Sequence, residues 1–267
     1  MLTCDLGNID EVIVRKALSG YTFVEFSVPM DSYSDSPKFS LSVGEVKSGY
    51  RIVGSEVYMN TGHKTQVKVS AMLEDQFKWL ESEPSSVESA EVEEILNGLG
   101  LSNGPKIPIT LLNLFLNNGQ LAILLSNMSP KTAFVDFEQG RVVYYSELYK
   151  QKPVVVKVPF RRLYGRAPIA GYVGWENMVT GSYPDDTQAV LPFGQFTNLD
   201  QTSMENVVNN CNEIARLFSD MQVFTYSQEL ELGSTVMSQL TYDKKVVVAA
   251  EKHYDKNDNV AAVYYCV

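Results

Sequence analysis

Thr22-Phe23-Val24-Glu25-Phe26-Ser27-Val28 and Gln66-Val67-Lys68-Val69-Ser70-Ala71 place an apolar or small residue at every second position. Period two marks a strand with one face buried and the other wet, so both stretches predict half-buried antiparallel strands. Working outward, they extend to residues 21–28 and 63–72, and residues 11–18, 38–43 and 50–59 read as further strands. Asn60-Thr61-Gly62-His63 reads as a hairpin loop in which glycine supplies the positive φ. The strand pattern continues to Leu80 and predicts a first β-domain, small and barrel-like, over residues 1–81.

The texture changes at Glu81-Ser82-Glu83-Pro84-Ser85-Ser86, where a proline stops any strand and paired serines offer a helix cap. Val87, Ala90, Val92, Ile95 and Leu96 then follow helical spacing, ended by Gly98 and Gly100. Thr110-Leu111-Leu112-Asn113-Leu114-Phe115-Leu116 and residues 120–128 predict one or two buried helices. Ala133-Phe134-Val135-Asp136-Phe137, a Glu138-Gln139-Gly140 turn and Arg141-Val142-Val143-Tyr144-Tyr145 form a hairpin signal. Together these predict a compact α/β unit over residues 82–150.

From Pro153 the chain returns to strands, at 154–160 and 169–175. Residues 176–200 carry Gly, Pro and Asp signals of loops with short strands. Ser203 opens a helix whose apolar positions, Met204, Val207, Val208, Cys211, Ile214, Ala215 and Phe218, form one continuous stripe. Strands follow at 223–226 and through 230–267, with a glycine step at Leu232-Gly233-Ser234 and a polar tip at 254–259 between Lys245-Val246-Val247-Val248-Ala249-Ala250 and residues 260–266. The expected fold class is therefore α+β, mainly β. Two small β-barrel-like domains enclose the α/β unit, and the second, residues 151–267, carries a helical insertion at about 176–220.

Composition bounds the function. The chain has 267 residues, 45% hydrophobic and 11% aromatic, ample for ordinary cores without covalent staples. Cys4, Cys211 and Cys266 are odd in number and scattered, which supports neither a disulfide framework nor a zinc site and predicts reduced thiols. No basic n-region precedes an apolar stretch, and no run approaches the roughly 18–20 apolar residues of a membrane span, so neither a signal peptide nor an anchor is expected. Net charge is −10, from 32 acids and 22 bases, with a pI near 4.8. Stable nucleic-acid binding is disfavoured, while a surface of this sign suits DNA that must slide past without sticking.

No group of residues outweighs its ordinary structural explanation as a catalytic or metal site. His63 and His253 each fall beside an expected hairpin tip and outside any HExxH context. Tyr164-Gly165-Arg166-Ala167-Pro168-Ile169-Ala170-Gly171 lacks the order of a phosphate loop. Asp185-Asp186 with Glu176 reads as a solvated turn before it reads as a carboxylate pair. Cys211 reads as a small buried hydrophobe. Arg161-Arg162 and Arg166, near Tyr164, are too few for a nucleic-acid stripe and fit an interface patch. Trp79 and Trp175 fit cores or subunit contacts as well as stacking on sugars or bases. No catalytic residue, cofactor or metal is expected.

The order of elements resembles the phage tail hub family, which includes the central hub of contractile phages and the hub part of type VI secretion spikes. Three stretches carry the likeness. Val67-Lys68-Val69-Ser70-Ala71-Met72-Leu73, leading to Trp79-Leu80 and a polar link, is similar to the strand closing the first hub barrel. Glu93-Glu94-Ile95-Leu96-Asn97-Gly98-Leu99-Gly100-Leu101 with the hairpin Phe134 to Tyr144 is similar to the small hub domain, which has such a helix and an aspartate-turn-glycine hairpin. Leu230-Glu231-Leu232-Gly233-Ser234-Thr235-Val236, followed by Lys245 to His253, is similar to the family's glycine-step strand and a strand leading to a histidine. Residues 176–200 have no counterpart, and the chain is shorter than the larger hubs.

The resemblance implies a non-enzymatic structural virion protein at the tail baseplate, assembled in the host cytoplasm. It implies a homotrimer whose six barrels form a pseudo-sixfold ring between the hexameric tail tube and the trimeric tail spike, around a channel for DNA, with the tape-measure protein as a further partner. Another tail adaptor or a receptor- or carbohydrate-binding virion module is the alternative, and a wall-degrading hydrolase a more distant one.

Overall fold

The computed structural model describes residues 11–29, 43–47, 49–59, 65–82, 86–113, 117–163, 201–255 and 260–267. The first region holds β1 (Glu11–Ala17), β2 (Phe23–Pro29), β3 (Val46–Lys47), β4 (Tyr50–Met59), β5 (Thr65–Leu73) and α1 (Glu74–Glu81). The middle region holds β6 (Ser86–Glu91), α2 (Val92–Gly98), β7 (Pro108–Asn113), α3 (Asn118–Ser126), β8 (Ala133–Asp136), β9 (Arg141–Tyr144) and α4 (Tyr145–Lys150). The last holds β10 (Val154–Val156), β11 (Arg161–Arg162), α5 (Gln201–Ser219), β12 (Gln222–Tyr226), β13 (Thr235–Ser238), β14 (Lys244–Asp255) and β15 (Val260–Cys266).

The strands expected at 11–18, 21–28, 50–59 and 63–72 are present as β1, β2, β4 and β5, within a few residues of the expected bounds. They lie antiparallel in the order β3-β4-β5-β2-β1, and the free edge of β1 pairs with β14, from Glu11↔Asp255 to Ala17↔Ala249. One sheet thus runs through both β regions. In the second region the order is β11-β12-β15-β14, with β13 on β14 and β10 parallel to β13. Residues 154–162 supply both ends of that arc, at β10 and β11, so it is bridged by the chain at 157–160 and not by a ladder. Among the described residues neither β region closes as a barrel, although the mainly β, mostly antiparallel character stands.

Three expected elements take another form. The strand pattern stops at Leu73, and residues 74–81 form α1. Glu74 and Asp75 in its first turn and Lys78 in its last suit the helix dipole. Its anchor is Arg51, whose guanidinium donates to both Glu74 oxygens at 2.7 Å and lies 4.7 Å from the Phe77 ring centroid. Residues 86–91 are a strand and not the start of a helix, because β7 offers them a ladder. The helix starts at Val92, where the Glu91 and Glu94 side chains cap one another's backbone. Residues 110–113, read as helical, belong to β7. A short apolar run is ambiguous by periodicity, and here Pro108 opens a strand in the first position proline tolerates. The strand expected at 154–160 shortens to β10. Expectations for 38–42, 60–64, 114–116, 169–175, 176–200 and 256–259 lie outside the described residues.

The core is shared by all three regions. Helix α3 is buried on every side, with Leu121, Ala122, Ile123, Leu124 and Leu125 at most 2% exposed. Around it lie Phe134 and Val135 of β8, Val207, Ile214 and Leu217 of α5, Ala17 at the end of β1 and Leu18 after it, and Val248 and Ala249 of β14. Each fully buried Leu or Ile contributes about 1.5–3 kcal/mol. Polar bonds fix the angles. Asn210 of α5 donates to the carbonyls of Asn127 (2.9 Å) and Ser129 (2.7 Å), and Asn206 donates to that of Met128 (2.9 Å). Ser19 and Val135 exchange two hydrogen bonds, of 2.6 and 3.0 Å, tying the end of β1 to β8. A second core gathers Phe224, Val236, Val247 and Tyr264, whose hydroxyl accepts from Leu230 N and donates to Gln228 O. A third lies between β2, β4 and β5, with Val24, Phe26, Ile52, Val67 and Val69.

Tyr21 links the first sheet to the central core. Its ring lies 5.2 Å from Phe137, which in turn meets Trp79 edge-on at 5.2 Å. Its hydroxyl sits where Gly119 has no side chain: a Cβ there would be 2.0 Å from Tyr21 Oη and 3.1 Å from Cζ. Gly→Ala inside a helix ordinarily stabilises by about 1 kcal/mol. At Gly119 the sign reverses, and thermal or urea unfolding of Gly119→Ala should show a loss of about 2 kcal/mol or more from overpacking. The hydroxyl has no partner among the described residues, so Tyr21→Phe alone should stay within about 1 kcal/mol of the parent and recover part of the Gly119→Ala loss.

Candidate assembly surface

The seam between the two β regions carries a charged row. On one face of β1, Val12 and Val14 join the apolar third core, so Arg15, the next residue along, faces the other way. Arg15 is opposite Glu251 of β14 on one side and Phe23 of β2 on the other. Its Nε donates to Glu251 Oε2 at 2.7 Å, and its Nη1 donates to Glu25 Oε2. Glu25 Oε1 meets Lys68 Nζ of β5 at 3.2 Å. At the other end His253 Nε2 lies 2.6 Å from Glu251 Oε1. The row His253, Glu251, Arg15, Glu25 and Lys68 therefore spans four strands, with a carboxylate on each side of Arg15.

The three central side chains are only 13–16% exposed, while Lys68 and His253 reach solvent. Burial alone would raise the Glu25 carboxyl, but hydrogen bonds and charge from Arg15 and Lys68 outweigh it and hold the group below its ordinary range. Chemically the row fastens one β region to the other and sets register. It offers no excess of positive charge to a phosphate backbone.

The residues singled out in the sequence are not brought together. His253 lies near the end of β14, opposite Ala261 of β15 and so beside the turn between these strands, as expected. Cys211 and Cys266 are buried, and burial pushes both thiols up to about 12, away from nucleophile range. Trp79 packs on Phe137. Arg161 and Arg162 are exposed on β11, and Arg162 Nη2 is 3.8 Å from Asp220. Cys4, His63, Tyr164, Arg166, Trp175, Glu176, Asp185 and Asp186 lie outside the described residues. Among the described residues no cluster of His, Cys, Asp or Glu is arranged to hold a metal, and no helix is long and apolar enough to cross a membrane. A groove of about 220 Å³ beside Arg141, Tyr144, Glu147 and Ser234 falls below the size of ordinary small-molecule sites. The charged row itself was missed, because Arg15, Glu25, Lys68 and Glu251 show alternation within each strand but no register between strands.

No protein-family profile and no curated protein matches the sequence. The fold, in contrast, is that of known tail proteins. The chain is similar over 97% of its length to the 43 kDa tail protein of prophage MuSo2 from Shewanella oneidensis, with TM-score 0.59, 9% identity and 92% of that chain covered. It is also similar to a tail protein of Neisseria meningitidis MC58, with TM-score 0.57, 11% identity and the same coverages. A type VI secretion component of E. coli, described as structurally similar to the phage T4 tail proteins gp27 and gp5, gives TM-score 0.55 and 7% identity, with 97% of this chain and 73% of that chain covered.

The lowered carboxyl gives a pH test with a definite sign. Glu25 binds its proton less readily folded than unfolded, so its contribution is present above the ordinary carboxylate pKa and fades as pH falls through the lower folded value. At pH 7, Glu25→Gln should cost about 1–2 kcal/mol in urea unfolding. In acid, below the folded pKa, the gap between variant and parent should close. A gap independent of pH would assign the loss to packing and not to the ion row.

Proposed function

We propose that this chain is a structural component of a phage tail, the central baseplate hub. In this reading it is a homotrimer whose paired β regions form a ring of pseudo-sixfold symmetry, seating the hexameric tail tube on one side and the trimeric spike on the other. Residues 1–81 and 151–267 are then the two hub domains, the second with its insertion at about 176–220, and 82–150 is the small α/β domain. The tape-measure protein is a further partner, DNA passes through the ring, and the chain resides in the virion tail after assembly in the host cytoplasm. Its work is adaptation of symmetry, not catalysis.

The observation that carries the reading is the shared fold over 97% of the chain with two tail proteins and a type VI secretion component. Two β regions welded by one ladder support it, since a rigid pair is what lets three copies present six similar units. The net charge of −10 and the mixed-sign row at the seam suit a wall that DNA passes without adhering. Native mass spectrometry on the full chain tests the proposal: a species of three times the 29.8 kDa chain mass is expected, and it should co-purify with tube and spike proteins of its own tail. A chain that stays monomeric at high concentration and binds neither contradicts it.

A further inference from the structure

Charge is segregated along this acidic chain. From Leu148 to Leu163 stand five bases, Lys150, Lys152, Lys157, Arg161 and Arg162, and no acid. From Glu74 to Glu94 stand eight acids and one base, Lys78. All five of those bases are exposed. On the acidic side Asp75 and Glu81 of α1 and Glu91 and Glu94 at the start of α2 are exposed, and both helices pack on α3.

The basic segment also carries an exposed apolar strip. Among the described strands β10 pairs with β13 alone, and Val154 and Val155 are 40% and 50% exposed. The turn after β13 is tied to the end of β10: Gln239 N donates to Val156 O at 2.9 Å and Ser238 Oγ to Val158 O at 2.8 Å. That turn holds out Leu240, 61% exposed, and Tyr242, 77% exposed. Tyr242 sits at φ 60°, a strained conformation for an aromatic residue and one that tends to persist where function requires it. Tyr149 extends the strip, with Lys244 Nζ 4.9 Å from its ring centroid. Apolar centre and basic rim together describe a protein-docking surface, whereas a phosphate-binding stripe has no use for exposed Val, Leu and Tyr.

We propose that this strip, centred on the exposed valines of β10, docks the acidic side of α1 and α2 on a second copy of the chain. The contact is heterologous, basic face to acidic face, and repeated head to tail it closes a ring. It rests on the hub reading for the existence of the oligomer and adds the surface that makes it.

Charge reversal in cis tests it. Lys152→Glu with Lys157→Glu should weaken self-association at least tenfold by sedimentation equilibrium, and Asp75→Lys with Glu81→Lys should do the same. All four together, restoring opposite signs across the contact, should return the affinity to within about threefold of the parent. All these positions are exposed, so circular dichroism melts should stay within a few degrees of the parent. If the parent forms trimers and the reversed chains form them equally well, or the fourfold variant does not recover, the proposal is overturned while the hub reading stands. A monomeric parent removes both. Loss of duplex-DNA binding on Lys152→Glu with Lys157→Glu, with assembly unchanged, would assign the strip to phosphate and overturn the docking surface.

Discussion

Everything else in the fold hangs on the ladder from Glu11↔Asp255 to Ala17↔Ala249. It joins strands from opposite ends of the chain, and the Arg15–Glu251 pair across it spans 236 residues of sequence. Without it the molecule would hold two sheets, each with one more open edge and an exposed flank. With it, β3-β4-β5-β2-β1-β14-β15-β12-β11 is one continuous path. The continuation of β1 into Leu18 and Ser19 then reaches the hairpin β8·β9 and the central core around α3. Closing so long a loop is entropically costly, so the sheet and the core that it abuts can form only late, once the C-terminal strands exist.

The charged row shows why this seam is specific as well as stable. Apolar residues on the opposite face would tolerate a slip of two residues, since the side-chain period is two. Arg15 flanked by Glu25 and Glu251, with Lys68 and His253 outside them, does not. A slip of two would set Arg15 opposite Ala249 or His253 and take Glu251 from it, leaving half-buried charges without their partners. The apolar cores therefore supply most of the stabilisation, and the ion row selects the register.

How much of this was legible in the sequence depended on the range of the interaction. Alternation in Thr22 to Val28 and Gln66 to Ala71, and the apolar stripe Val207, Cys211, Ile214, Phe218, are local patterns, and the strands and α5 follow them. Residues 86–91 and 110–113 read as helical because their apolar spacing is ambiguous, and only the pairing of β6 with β7, across the turn of α2, decides for strand. Helix α1 was hidden for the reason that its anchors, Arg51 and Thr22, whose N–H donates to Gln76 Oε1 at 2.6 Å, are distant in sequence. The seam itself was invisible, because neither Arg15 nor Glu251 indicates its partner. The order of elements was nevertheless enough to reach the tail-protein fold that the comparison of structures finds at 7–11% identity.

The β1·β14 ladder makes one cooperative unit of both β regions. Native-state hydrogen exchange reads this directly. Amides of residues 12–16 in β1, 67–72 in β5 and 249–254 in β14 should share the slowest class, with opening free energies equal to that of global unfolding. Exchange of β1 and β5 at least tenfold faster than that of β14 and β15, through an opening that leaves the C-terminal strands intact, would contradict it.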